Sequence, residues 1–349
     1  MTVEELVRRG SELGGSDIHI VAGIPVKLRK DGQLQDITDR PLTEADCEAL
    51  AKELAGKHYK EIEEIGELDM AASLAGERVR INIFRQQGIP SMALRILSNK
   101  IPKLENLGLP PIVKEFPTWQ KGIILVTGET GSGKSTTLAA ILDEINHTRT
   151  DHIITLEDPV EYIYNPDKCV INQREVGKDT ESYENGLRAI LREDPDVILI
   201  GEMRDLPTIE TALTAAETGH LVFATLHTNS APDSVDRIVG VFPADRQPQI
   251  RMQLSTTLRA ALSQQLLVRA GGSGRIAACE VMVVTAAIKN LIREGKTPQM
   301  GSAMLSSASE GSITMDNSLL ALMRSKVISP ETALEAANDK AYIKRYMFG

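Results

Sequence analysis

The sequence predicts an α/β fold in which a parallel sheet flanked by helices follows a smaller α+β domain. Two patterns carry this. Apolar β-like runs at 122–127, 152–156, 197–200 and 221–226 alternate with helical stretches at 133–146, about 181–193 and 207–218, the order of a parallel sheet. Earlier, Val79, Ile81 and Ile83 alternate with Arg78, Arg80 and Asn82, and Met92, Leu94 and Ile96 alternate with Ala93 and Arg95. Strands of period two keep one face in a core and offer the other to water.

Taken in order, Thr2 with Glu5 forms a capping box for a short helix that stops at Gly14-Gly15, and Thr43 caps a second helix running toward Gly56. Between them, residues 17–21 and 26–29 read as strands, with Asp31-Gly32 as a tight hairpin turn. Residues 1–98 therefore form the first domain. In 99–118, Pro102, Pro110, Pro111, Pro117 and Gly108 disfavour long regular elements and mark a linker. The second domain, 119–349, opens with the sheet and becomes mainly helical from about residue 230. A basic hairpin-like piece at 267–272 and a strand near 276–283 interrupt that helical part.

Length and composition limit the function. With 349 residues and 42% apolar content the chain can build two cores. A net charge of −9 and only 3% aromatic residues argue against a nucleic-acid partner, which needs a basic face and stacking rings. Cys47, Cys169 and Cys279 are odd in number and far apart, so they give neither a disulfide frame nor a zinc pair and fit a reducing compartment. No apolar stretch approaches the roughly 20 residues needed to span a bilayer, and the first residues lack the form of a signal peptide. A cytoplasmic location is expected.

The most specific feature is Gly128-Glu129-Thr130-Gly131-Ser132-Gly133-Lys134-Ser135, which fits G-x-x-x-x-G-K-[ST] between a β-like run and a helical pattern. This is a P-loop. Its glycines let successive N–H groups and the positive end of the next helix face phosphate oxygens. The expected ligand is ATP, held by Gly128, Thr130, Gly131, Ser132, Gly133, Lys134, Ser135 and Thr136. Lys134 has the reach for the β- and γ-phosphates, and the Ser135 hydroxyl suits a Mg²⁺ shell.

Phosphoryl transfer to water also needs an acid to orient the water, and positive charge at the γ-phosphate. Residues 153–161 read as a strand broken at Pro159 with Glu157, Asp158 and Glu161 at its end, where open α/β sheets bind ligands. The strand 197–200 runs through Gly201 into Glu202, a Walker B form in which glycine stands where aspartate is common; Glu202 is expected to hold Mg²⁺ through water. The buried run 221–226 ends at His227, a candidate sensor of the γ-phosphate or of a neighbouring subunit.

The blocks G-E-T-G-S-G-K-S, T-L-E-D-P-V-E-Y, I-L-I-G-E-M-R-D and T-L-H-T-N, in this order, resemble the secretion-type ATPases of type II secretion and type IV pili. Within them the chain is most similar to the type IV pilus retraction branch. The N-terminal S-D-I-H-I, the stretch Asn172-Gln173-Arg174-Glu175-Val176-Gly177, and the segment from Ala287 to Glu294 share that likeness, with Lys289 where the family usually has arginine. Pilus-extension and type II secretion members usually carry a four-cysteine zinc insertion and a longer N-terminal region, neither of which this sequence has. The resemblance implies a homohexamer of subunits with a PAS-like N-terminal and a RecA-like C-terminal domain. It also implies ATP-driven motion passed to a platform protein at the inner face of the cytoplasmic membrane, with a paralogous pilus ATPase as a further partner. By position it implies Glu161 as the catalytic glutamate, Glu202 as the Walker B acid, His227 as the His-box residue, and Arg80 and Arg95 as arginines that reach a nucleotide.

Overall fold

A computed structural model describes residues 1–349 apart from 31–32, 98–99, 273 and 348–349, so the expected Asp31-Gly32 turn and the start of the expected linker lie outside the described residues. The chain divides into two compact units. One contains Met1–Lys100 together with Pro159–Ile163; the other contains Ile101–Asp158 and Tyr164–Gly349.

The first unit opens with helix α1 (Val3–Glu12), for which Thr2 and Glu5 form the capping box. Strands β1 (Asp17–Ile20), β2 (Lys27–Lys30) and β3 (Gln33–Asp36) precede α2 (Glu44–Ala55), capped by Thr43 and Asp46. Then come α3 (Tyr59–Glu64), β4 (Glu67–Leu74), β5 (Glu77–Gln86) and β6 (Ile89–Leu97). The six strands form one sheet in the order β3-β2-β1-β6-β5-β4, with antiparallel neighbours throughout. Val79, Ile81, Ile83, Met92 and Leu94 are fully or almost fully buried with residues of α1 and α2, which is the face that the period-two alternation assigned to the core. Sequence reading missed α3 and β4, although Leu68, Met70, Ala72 and Leu74 of β4 alternate with Glu67, Asp69, Ala71 and Ser73 in the period of two expected of a strand.

In the second unit the stretch expected as a linker contains short 3₁₀ turns at Leu104–Asn106 and Pro111–Thr118, and Leu104, Val113 and Phe116 are buried. Next come β7 (Gly122–Thr127), α4 (Lys134–Thr148), β8 (His152–Glu157), β9 (Val170–Glu175) and α5 (Tyr183–Ile190). They are followed by β10 (Val197–Ile200), α6 (Leu206–Glu217), β11 (Leu221–Leu226), α7 (Ala231–Gly240) and α8 (Gln247–Thr257). β12 (Leu258–Val268) and β13 (Arg275–Val283) form a hairpin. The chain ends with α9 (Ala286–Glu294), α10 (Met300–Ser306), α11 (Met315–Arg324), α12 (Pro330–Ala336) and α13 (Lys340–Met347).

The sheet order is β13-β12-β7-β11-β10-β8-β9, parallel except for the β12–β13 pair. β7, β10 and β11 are buried along their whole length, as strands covered on both faces must be. The register sets Thr127 beside Leu226 and Ser263, and Ile200 beside Ala224 and Leu156. The carboxyl ends of β7, β11, β10 and β8 therefore share one edge of the sheet. The long strand β12 was not foreseen; its buried run of small and polar residues, Ala260, Ala261, Ser263 and Gln264, lacks a strand-like apolar signature.

Candidate nucleotide site

β7 delivers the chain to Gly128, where φ is 136°. A Cβ at this position would lie 2.3 Å from the Gln264 carbonyl oxygen and 2.7 Å from Ser132 Oγ, so only glycine lets the loop turn back against β12. After Glu129, Thr130, Gly131 and Ser132 the chain enters α4 through Gly133, which offers no capping side chain. By contrast, α1, α2, α5, α6 and α7 are capped by Thr2, Thr43, Ser182, Asp205 and Ser230. The first turn of α4, made by Lys134, Ser135 and Thr136, thus presents the positive helix end with no acceptor at the cap, an arrangement that receives anions.

Lys134 is buried, and its Nζ donates to the carbonyls of Gly128 (2.7 Å) and Glu129 (2.9 Å), which fixes the ammonium within the loop. Gln264 Nε2 donates to the Ser132 carbonyl at 3.0 Å and ties the loop to β12. The Ser132 hydroxyl and Gln264 Oε1 are buried without hydrogen-bond partners. A phosphate oxygen would satisfy the Ser132 donor. A cavity of about 360 Å³ adjoins the loop, lined by residues 128–132, Asn229, Ser263–Leu267, Glu335, Ala336 and Asn338.

On the same edge, β10 ends beside Gly201. A Cβ there would meet Tyr183 Oη at 2.9 Å, Glu157 Cα at 3.1 Å and the Leu156 oxygen at 3.1 Å, so the position common to aspartate has no room for one here. The acid stands one residue on. Glu202 pairs with Arg204 Nη2 at 2.7 Å and with His227 Nε2 at 3.4 Å. Burial raises the Glu202 pKa, but the hydrogen bond and charge of Arg204, joined by His227, outweigh it and hold the carboxyl below the ordinary range. Burial, then the negative charges of Asp158 and Glu157, push the Tyr183 hydroxyl well up, so it remains a neutral donor.

Ser135 and Glu202 supply a hydroxyl and a carboxylate, an all-oxygen set that fits Mg²⁺, a cation that keeps several waters and leans on phosphates. Among the described residues no cluster of three or more His, Cys, Asp or Glu is placed to hold a metal ion. When bound, the ion would offset charge on the β- and γ-phosphates.

The other expected residues lie in the first unit. Arg80 on β5 and Arg95 on β6 are direct cross-strand neighbours. Each is held by a carboxylate: Arg80 Nη2 lies 3.0 Å from Asp69, and Arg95 Nε donates to Asp17 at 2.8 Å. Burial raises the Asp17 pKa, but the Arg95 hydrogen bond, with Ser16 and the Arg95 charge, brings it below the ordinary value. Glu161 was expected beside Glu157 and Asp158 at one strand end. Instead β8 stops at Glu157, and 159–163 group with the first unit, where Arg78 Nε donates to the Val160 carbonyl at 3.1 Å. The structure thus brings the P-loop residues, Glu202 and His227 together in one unit and places Glu161, Arg80 and Arg95 in the other.

The model of the family described as "Type II/IV secretion system protein" matches residues 2–332. The chain belongs to this family. It is 46% identical over 339 residues to the type IV pilus retractation ATPase PilT of Pseudomonas aeruginosa, covering 97% of this chain and 98% of that one. To the type IV pilus ATPase PilU of the same organism it is 40% identical over 344 residues, covering 97% and 90%. The crystal structure of the pilus retraction motor PilT with bound ADP superposes with a TM-score of 0.92 at 47% identity, over 99% of both chains. This secretion ATPase therefore has the mixed α/β fold expected of it and a nucleotide as its ligand.

Sequence reading of this secretion ATPase missed Arg204 as the partner of Glu202, Gln264 as the tie to the P-loop, and Arg78 as a buried anchor. One signal was available: Ser263-Gln264-Gln265 is a polar stretch inside the otherwise apolar run 260–267, and Ser263 and Gln264 are buried. A buried polar pair requires partners.

Proposed function

We propose that the chain is the ATP-hydrolysing motor of type IV pilus retraction, working as a homohexamer at the inner face of the cytoplasmic membrane against a platform protein. The observation that carries this reading is the full-length likeness to the retraction ATPase PilT. In this proposal the P-loop and Lys134 hold the phosphates, Ser135 and Glu202 hold Mg²⁺, and Glu161 orients the attacking water. His227 senses the γ-phosphate, while Arg80 and Arg95 bring positive charge from the N-terminal domain. Nucleic acid has no part in it.

The PilU likeness favours a second reading, an accessory ATPase beside a main motor. Deleting the gene distinguishes the two. Cells that keep many pili and lose twitching motility support the main motor; cells that still retract pili at the normal rate contradict it.

A further inference from the structure

Glu280 on β13 is a carboxylate only 6% exposed that none of the roles above uses. One of its oxygens accepts from the Ala231 N–H at 2.8 Å and the other from the Met315 N–H at 3.2 Å. These are the first residues of α7 and α11. Both helices thus aim their positive ends at one anion, which compensates a charge that burial alone would expel. Thr314 makes no side-chain cap for α11, so Glu280 supplies the acceptor that this helix start lacks.

The two helix starts lead to two segments that line the cavity beside the P-loop. Ser230, the cap of α7, follows directly on His227, Thr228 and Asn229, and Asn229 lines the cavity. Ser263 Oγ donates to the Asn229 carbonyl at 2.9 Å and secures this segment to β12. In the second case, Asp316 in the first turn of α11 accepts from the backbone N–H groups of Asn338 (2.9 Å) and Asp339 (3.1 Å), and Asn338 lines the cavity too.

We propose that Glu280 is a positioning residue for ATP hydrolysis: by joining the starts of α7 and α11 it fixes the 227–229 loop and the 335–338 segment, both of which contribute to the lining of the cavity beside the P-loop. The proposal rests on the reading above that His227 acts in hydrolysis. Glu280 touches no substrate; it acts through the loop that carries His227. Burial raises its pKa, with Asp233 and Asp316 adding to that and the two N–H donors opposing it, and two helix ends are what a carboxylate in such a place requires.

The test is a double-mutant cycle on the full-length protein, with Glu280→Gln, His227→Ala and the pair. Gln keeps the size of Glu but turns an amide NH₂ toward one of the two N–H groups, which releases one of the two helix starts. Phosphate release by Glu280→Gln should fall about tenfold in kcat, while the Kd for a fluorescent ATP analogue changes less than about threefold. In the His227→Ala background the same substitution should cost less than about twofold. A residue with a purely structural role would lower the melting temperature and leave kcat at 25 °C intact, and that result overturns the proposal. Full tenfold loss in the His227→Ala background overturns it as well, because Glu280 then acts by another route. Normal turnover by His227→Ala alone refutes the reading of His227, a distinct outcome. If Glu280→Gln does not fold, Ser263→Ala releases the same loop from β12, and unchanged kcat in that variant counts against the proposal.

Discussion

The charged groups of the two units are built differently. In the second unit Lys134 is buried and fixed by two backbone carbonyls, and the Glu202 side chain is 20% exposed between Arg204 and His227. In the first unit the Arg80 and Arg95 side chains are 48% and 63% exposed, and they pair with Asp69 and Asp17. The first arrangement is preorganised, since its charges hold their places before any ligand arrives. The second is held weakly, because exposed ion pairs contribute up to about 1 kcal/mol each. Two arginines directly opposite across a strand pair repel each other. One unit fixes its charges in a buried loop, and the other carries them in exposed pairs.

The largest effect should come from that loop. Lys134→Ala should lower phosphate release by about a thousandfold or more, since no other described side chain donates its charge inside the loop. Turnover within tenfold of the parent would show that the helix end and backbone suffice, and would remove the contrast between the units.

A smaller loss is expected from Glu161→Gln. It should lower kcat about a hundredfold and leave ATP affinity within about threefold, because Gln keeps the shape and loses only the base. Isothermal titration with ATP beside a phosphate-release assay separates these terms. If binding collapses with turnover, Glu161 serves ATP binding and not water activation.

The smallest effect concerns acid. Glu202 has its folded-state pKa below the ordinary glutamate value of about 4.3, so its contribution to stability is present above that value and is lost as pH falls through the folded pKa. Urea unfolding of the parent and of Glu202→Gln from pH 7 to pH 3 should show the parent's advantage shrinking on the acid side of about pH 4. An advantage independent of pH would mean that the Arg204 and His227 contacts do not hold in solution.

The same contrast explains what was legible in the sequence. The P-loop could be read because a phosphate cradle demands glycines at fixed spacing, and the strands 122–127, 197–200 and 221–226 could be read because a parallel sheet buried on both faces needs unbroken apolar runs. Val79, Ile81 and Ile83 gave the first sheet by period two. β9 and β12 escaped because their polar residues are satisfied by contacts distant in sequence, such as Asn172 of β9 with His152 and Gln264 of β12 with Ser132. Glu161 was misgrouped for a related reason: a strand end predicts where a chain leaves a sheet, but not which core the next five residues join.

We propose that Arg80 and Arg95 of one subunit bring positive charge to the P-loop of a neighbouring subunit. Mixing Arg80→Ala protein, whose P-loop is intact, with Lys134→Ala protein, whose arginines are intact, tests it most directly. Each variant alone should be nearly inactive. After subunit exchange, interfaces that join an intact P-loop to an intact Arg80 form, and phosphate release should recover to a substantial fraction of the parent rate. No recovery in rings whose exchange is verified by a fluorescent label would contradict the claim.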